Sequence, residues 1–279
     1  MTIRIVTDST CDLPTAVAEQ LQITVVPAYV NIGDQSFLDG IELTRAQFYR
    51  ELEGYPTPPT TAAPASGAFT QVYEQLADEG ATEIISIHVA SKLSGVLNAA
   101  RLGAEDTEVK VSLFDSQSLS MGLGLLAQMA AEAAADGRSL DDIMALLDSA
   151  VRRTYVFALL DTLEFLRRSG RVNWAQFGIG TLLRIKPLVR VYGGVLEMQE
   201  KIRTSKKATE KMIERIAELG QYERVALLHT DALEEVEQLR HQLAHLIPAG
   251  SNPPAVLVTP AVGSHVGPRA LGFAGVLAP

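Results

Sequence analysis

The chain is poor in cysteine: Cys11 is the only one in 279 residues. An internal disulfide framework is therefore excluded, and a reducing compartment is expected. Basic residues are outnumbered as well, since 24 Lys and Arg against 33 Asp and Glu leave a net charge of −9. That balance disfavours nucleic acid and anionic lipid headgroups as main partners. No stretch approaches the roughly 18 consecutive apolar residues of a membrane span, and no charged-then-apolar signal pattern opens the chain. The expectation is a soluble cytoplasmic protein with no stable membrane insertion.

Catalytic signatures are missing too. There is no G-x-x-x-x-G-K-[ST], no G-x-S-x-G, no H-E-x-x-H and no C-x-x-C. Gly122-Leu-Gly124-Leu-Leu-Ala127 matches the dinucleotide pattern G-x-G-x-x-A, but it stands well past the strand end at Phe114 and a helix follows it. The tight strand-turn-helix and the ribose-binding acid of a nucleotide fold are thus absent, and a plain Gly-rich helix start fits better. Among the five histidines, His241 and His245 share a helix face without a third ligand, so no metal site is expected. His88 and His229 fall in strands and read as satisfied core residues.

What is present is a regular alternation of strands and helices. Strands are expected at 3–6, 23–30, 83–89 and 109–114, with Asp12 capping the first helix and Thr44 and Gln47 boxing the second. Helices are expected at 67–77, 94–102, 123–135 and 140–151, and the Pro-rich run 54–64 is expected to carry no regular structure. This βα order implies a parallel sheet covered on both faces. After about residue 153 the order changes. Gly193-Gly194 between strands 187–192 and 195–203 signals a hairpin, hence a mixed sheet. The fold class is α/β in two domains: residues 1–153 around the parallel sheet, and residues 154–279 as a two-layer domain with the mixed sheet.

Two strand ends carry small hydroxyl-bearing residues. Thr7-Asp8-Ser9-Thr10 follows the run 3–6, and Gly263-Ser264-His265-Val266-Gly267-Pro268 follows the apolar run 255–262. Ligands of open α/β sheets bind beyond the carboxyl ends of strands, where helix N-termini converge. A site for a small anionic group is the natural reading, and His265 lies among glycines, where there is little for an imidazole to pack against. On the residues alone, Thr7, Asp8 and Ser9 serve equally well as caps and turn formers, and Asp115-Ser116 reads as a structural turn. Thr61 reads as linker, Ser94 as an ordinary N-cap, and Arg171 and Arg203 as surface cations.

Taken in order, further segments carry a resemblance. Thr7-Asp8-Ser9-Thr10 with Asp12-Leu13-Pro14, Leu38-Asp39-Gly40, Thr61-Ala62-Ala63-Pro64 and Ser91-Lys92-Leu93-Ser94-Gly95 come first. Asp115-Ser116, Gly170-Arg171, Ile185-Lys186-Pro187, Lys201-Ile202-Arg203 and His265-Val266-Gly267-Pro268 follow. Together they resemble the DegV family, which includes the fatty-acid-binding subunits of bacterial fatty acid kinase.

The resemblance implies an α/β/α parallel-sheet domain, then a two-layer domain, with a long-chain fatty acid held between them. Carried over by position, Thr61, Ser94 and His265 bind its carboxylate. Thr7, Asp8, Ser9, Gly95, Asp115 and Ser116 belong to the supporting strand-end loops. Arg171 and Arg203 lie near the mouth, where an ATP-dependent kinase subunit docks and transfers phosphate to the acyl group. The chain itself is then a non-catalytic subunit with neither metal nor cofactor. Hydroxyls and an imidazole hold a carboxylate by charge-assisted hydrogen bonds, and a tail of roughly 15 methylenes at about 0.8 kcal/mol each supplies most of the affinity. Met121-Gly-Leu-Gly-Leu-Leu and Phe177-Gly-Ile-Gly-Thr-Leu-Leu are apolar enough to line the tunnel. Departures from the family pattern are Ala62-Ala63 for Ser-Gln, Val96 for Thr, and Ser169 and Arg269 for Gly. Two other classes stay open: a small-molecule kinase or phosphotransferase subunit, by likeness of fold to dihydroxyacetone kinases, and a regulatory interaction module.

Overall fold

Short apolar strands build a first sheet from β1 (Ile3–Asp8), β2 (Ile23–Val26), β6 (Glu83–His88) and β7 (Lys110–Asp115). They run in the order β2-β1-β6-β7 with every pairing parallel. In the computed structural model, which describes residues 2–172 and 185–279, β6 is buried along its whole length, as a strand covered on both faces must be. Helices α3 (Ser66–Asp78) and α4 (Val96–Glu105) pack together against this sheet.

The second sheet joins β8 (Thr154–Leu159), β9 (Lys186–Tyr192), β10 (Val195–Ile202), β11 (Tyr222–His229), β12 (Ala255–Leu257) and β13 (Leu271–Leu277). Its order is β10-β9-β8-β13-β11-β12, with one parallel pair, β11–β12, among antiparallel ones. This is the mixed sheet that the Gly193-Gly194 hairpin implied. Strand alternation sorts its residues: Phe157, Leu227 and Phe273 pack with the outer helices α8 (Ser205–Ala217) and α9 (Leu233–Gln242), whereas Val156, Leu228 and Ala274 face inward and join the core of the first sheet.

Helix α5 (Met121–Ala135) contacts both sheets and is apolar except at Gln128 and Glu132, as suits a helix largely enclosed in a core. A Cβ at Gly122 would come within 2.5 Å of Val156 Cγ2, and one at Gly124 within 2.6 Å of the Cys11 carbonyl. The glycines of the G-x-G-x-x-A match thus let the helix approach its neighbours, and Met121 to Leu126 pack as core. Helix α6 (Leu140–Val151) follows and packs on α5, and α7 (Glu164–Ser169) follows β8.

Several expectations need correction. The run 23–30 is not one strand. It breaks at Pro27-Ala28, where proline has no amide for a ladder, and β3 (Tyr29–Ile32) turns away to pair antiparallel with β4 (Gln35–Leu38) and β5 (Thr60–Ala62). β5 lies inside the Pro-rich run expected to be irregular, between Pro59 and Pro64, and is a three-residue edge strand. Asp12 does not cap α1 (Thr15–Gln20), which begins after Pro14; it closes the 3-10 turn Ser9–Cys11, buried and with φ +58°. Thr44 does cap α2 (Arg45–Glu51), accepting the Gln47 amide at 3.2 Å. The run 255–262 is a strand only as far as Leu257, because Pro260 opens helix α10 (Pro260–Val266). His265 therefore sits on a helix and not in a loop past a strand. β13, interrupted by Gly272 and Gly275, is a further strand inside the mixed sheet, between β8 and β11. The expected tunnel lining at 177–183 lies outside the described residues.

Candidate functional site

Helix α10 is fastened to the first domain at its N-terminus by two buried carboxylates. Asp12 Oδ1 accepts the Thr259 amide at 2.7 Å, and Asp39 Oδ1 accepts the Ala261 amide at 3.1 Å. Negative charge is favourable there, because the first amides of a helix have no internal partner. Burial pushes the Asp39 carboxyl up to about 6 and raises Asp12 too, the latter against the pull of Arg45. The Arg45 guanidinium donates to the carbonyls of Asp12, Leu13 and Leu257 at 3.4, 2.9 and 2.6 Å, tying the first domain to the end of β12.

This anchorage delivers His265 to β5, where Thr61 Oγ1 lies 3.0 Å from His265 Nε2. The imidazole is half-buried, and its pKa is pushed down to about 4, first by burial and then by the charge of Arg171. It is neutral at pH 7, so one ring nitrogen donates and the other accepts. Ser94 stands on the loop from β6 to α4, where its Oγ accepts the Val96 amide at 3.4 Å, and Gly95 is the residue that caps α4.

The loops beneath are held by the remaining strand-end residues. Asp8 Oδ1 accepts the Thr10 amide at 3.1 Å. Asp8 Oδ2 accepts the Val89 amide at 3.1 Å and meets His88 Nδ1 at 3.0 Å. His88 Nε2 pairs with Ser86 Oγ at 2.7 Å, so both ring nitrogens of this buried histidine are satisfied. Ser9 Oγ accepts the Ala28 amide at 3.0 Å, at the break between β2 and β3, while Thr7 Oγ1 is buried with no partner among the described residues. Asp115 takes the amides of Ser91 and Gln117 at 3.3 and 2.9 Å, and the Ser116 amide donates to the His88 carbonyl at 3.1 Å. Asp8 and Asp115 hold the loop that carries Ser94 through the amides of Val89 and Ser91, and Thr7, Asp8, Ser9, Asp115 and Ser116 do not line the cavity themselves.

Thr61, Ser94, Gly95, His265 and Arg171 line one cavity of about 160 Å³, measured to the centres of water-sized groups. Its remaining wall is largely apolar and comes from both domains, with Val89 and Val96 on one side and Leu166, Leu196, Val262 and Val266 on the other. Ala62, Ala63 and Ser169, three of the departures from the family pattern, also line it. Arg171 is exposed and donates to the Ser169 carbonyl. Arg203 is not among the lining residues; it follows the end of β10, exposed, next to Ile202, which pairs with Lys186. Arg269 points elsewhere, to Glu53 at 3.4 Å and Asp161 at 3.3 Å. Among the described residues no three His, Cys, Asp or Glu gather as metal ligands, and no helix is long and apolar enough to cross a membrane.

Sequence reasoning missed Arg45 and the helix-anchoring roles of Asp12 and Asp39. The available signals were Asp12-Leu13-Pro14 and Leu38-Asp39-Gly40, both among the segments that carry the resemblance.

A family model described as "Uncharacterised protein, DegV family" matches residues 2–277. The chain belongs to the DegV family. A DegV domain-containing protein of Listeria innocua is 37% identical over 276 residues, covering 97% of each chain. Among solved structures, a DegV family protein from Thermus thermophilus, described as binding fatty acid, superposes with a TM-score of 0.90 at 31% identity over 100% of both chains. DegV from Bacillus subtilis, described as a fatty acid binding protein, gives 0.90, 31% and the same coverage. The two-domain α/β architecture is thus shared with DegV structures across the whole chain.

Proposed function

We propose that this DegV family protein binds a long-chain fatty acid between its domains, divided at residues 153/154, and presents the carboxylate to an ATP-dependent kinase partner for acyl-phosphate formation. The observation that carries the reading is the cavity itself, apolar along most of its wall, with Thr61, Ser94 and His265 beside Arg171, while the other two hydroxyls of the lining, Thr10 and Ser169, already donate to Asp8 and the Leu166 carbonyl. A tail buried there contributes about 0.8 kcal/mol per methylene, and hydrogen bonds to the charged headgroup orient it. The fatty-acid-binding descriptions of the Thermus and Bacillus structures support the same ligand class.

The chain's own role is non-catalytic. Thr61 and His265 have the spacing of a nucleophile and its base, but a general base works best with a pKa near 7, and His265 is held at about 4. A neutral imidazole and a hydroxyl suit binding better than proton abstraction. Arg171 stands beside the headgroup, and the exposed Arg203 serves the docking of the kinase. No cofactor is needed for this role, and the protein acts in the cytoplasm.

Fatty-acid titration of Thr61→Val, Ser94→Ala and His265→Ala tests the clamp. Each should weaken binding by about 1.5–3 kcal/mol, the worth of a hydrogen bond to a charged group, and pairs should be non-additive because one anion is shared. Unchanged affinity in all three folded variants would remove the clamp.

A further inference from the structure

A second, smaller cavity of about 40 Å³ adjoins the first. The two share Leu119, Val262 and Val266, so three apolar side chains form the partition between them. The far side of the smaller space is the inward face of the mixed sheet, where Val156 and Ala158 alternate with the outward Phe157, and where Gly272 pairs with Ala158 across β8 and β13. No polar atom is presented to this space by the described residues that line it. A cavity of that kind stays dry and takes apolar groups, whereas a water needs 2–4 polar partners.

We propose that the second cavity is an end chamber for the methyl terminus of an acyl chain, and that Leu119, Val262 and Val266 are the residues that set chain length. The inference rests on the fatty-acid reading of the first cavity and deepens it. The sizes fit an extension of one tail. The second cavity, about 40 Å³ against about 160 Å³ for the first, suits the end of a tail and not a second ligand. Val262 and Val266 reach the partition from consecutive turns of α10, and Leu119 reaches it from the loop before α5, so the shared wall is made of apolar side chains. The small side chain of Ala158 leaves room on the sheet side of the chamber. A Cβ at Gly272 would approach Leu228 Cβ to 2.8 Å, so there is little slack on that side and the space is bounded by the sheet.

The test compares affinities for saturated fatty acids from C12 to C20 in the wild type, in Ala158→Leu, which fills the chamber, and in Leu119→Ala, which opens the partition. In the wild type each added methylene should tighten binding by about fourfold until the chamber is full. Ala158→Leu should leave C14 within about twofold and weaken C18 by tenfold or more. Leu119→Ala should move the preference the other way, favouring C18 and C20 over C14. If Ala158→Leu does not fold, the Leu119→Ala profile decides alone. Fatty acids that bind with the same length profile in the folded variants as in the wild type would overturn the chamber and leave the carrier reading standing. A wild type that binds no fatty acid of any length would overturn the carrier reading, and the chamber with it.

Discussion

Acidifying the lipid-free protein should expose the cost of burying His265. The imidazole is held at about 4, by burial first and by Arg171 second, whereas an unfolded chain gives it the ordinary value near 6.5. Between those values the unfolded state binds the proton more tightly. The stability contributed by the neutral ring is therefore complete above about pH 6.5 and is lost progressively as pH falls to about 4. A gap of about 2.5 units at 1.36 kcal/mol per unit amounts to about 3 kcal/mol, an upper figure for a half-buried ring. Asp39, pushed up to about 6 by burial, works with the opposite sign, its contribution being lost as pH rises toward 6. Urea unfolding of the wild type and His265→Gln at a series of pH values cancels that background, since Asp39 is common to both. The wild type should lose stability relative to the variant between pH 6.5 and 4, by at most about 3 kcal/mol. Parallel stability curves would refute the reasoning. Saturation with fatty acid should shrink the difference, because a carboxylate beside the ring favours its charged form and moves its pKa up.

Arg203→Ala should keep fatty-acid affinity within about tenfold, near 1.4 kcal/mol, while lowering kinase-dependent acyl-phosphate formation far more, with lipid titration and turnover read on one preparation. An equal fall in both would place Arg203 in the lipid site. Arg269 has φ +56°, a conformation that costs a non-glycine residue roughly 1–2 kcal/mol, and its ion pairs are largely exposed. Arg269→Gly should thus unfold at equal or higher urea, and a clear loss of stability would show that the pairs with Glu53 and Asp161 outweigh the backbone strain.

Much of this fold was legible in the sequence, and the failures have local causes. Strands β1, β6 and β7 announce themselves by apolar runs, and the mixed sheet by Gly193-Gly194. The run 23–30 misled because hydropathy continues across Pro27 while the backbone hydrogen bonds do not. β5 hid in a proline-rich segment because an edge strand of three residues needs little local propensity, only the open side of β3. Helix α10 was read as an extension of a strand because its residues are buried nearly all round and give no period; Pro260 was the missed signal. For the site, periodicity and spacing found the residue types and the resemblance found the set. What no pattern contained was the long-range geometry, in which Asp12 and Asp39, more than 200 positions away, hold the helix that brings His265 to Thr61.

The central claim is that the cavity between the domains is made for a long-chain fatty acid. Organic extraction of the purified protein, followed by mass spectrometry, tests it most directly. Roughly one C14 to C18 fatty acid per chain is expected, because an apolar space lined by so few polar groups fills with an acyl tail in preference to water. A protein that yields no lipid and fails to bind added fatty acid would contradict it.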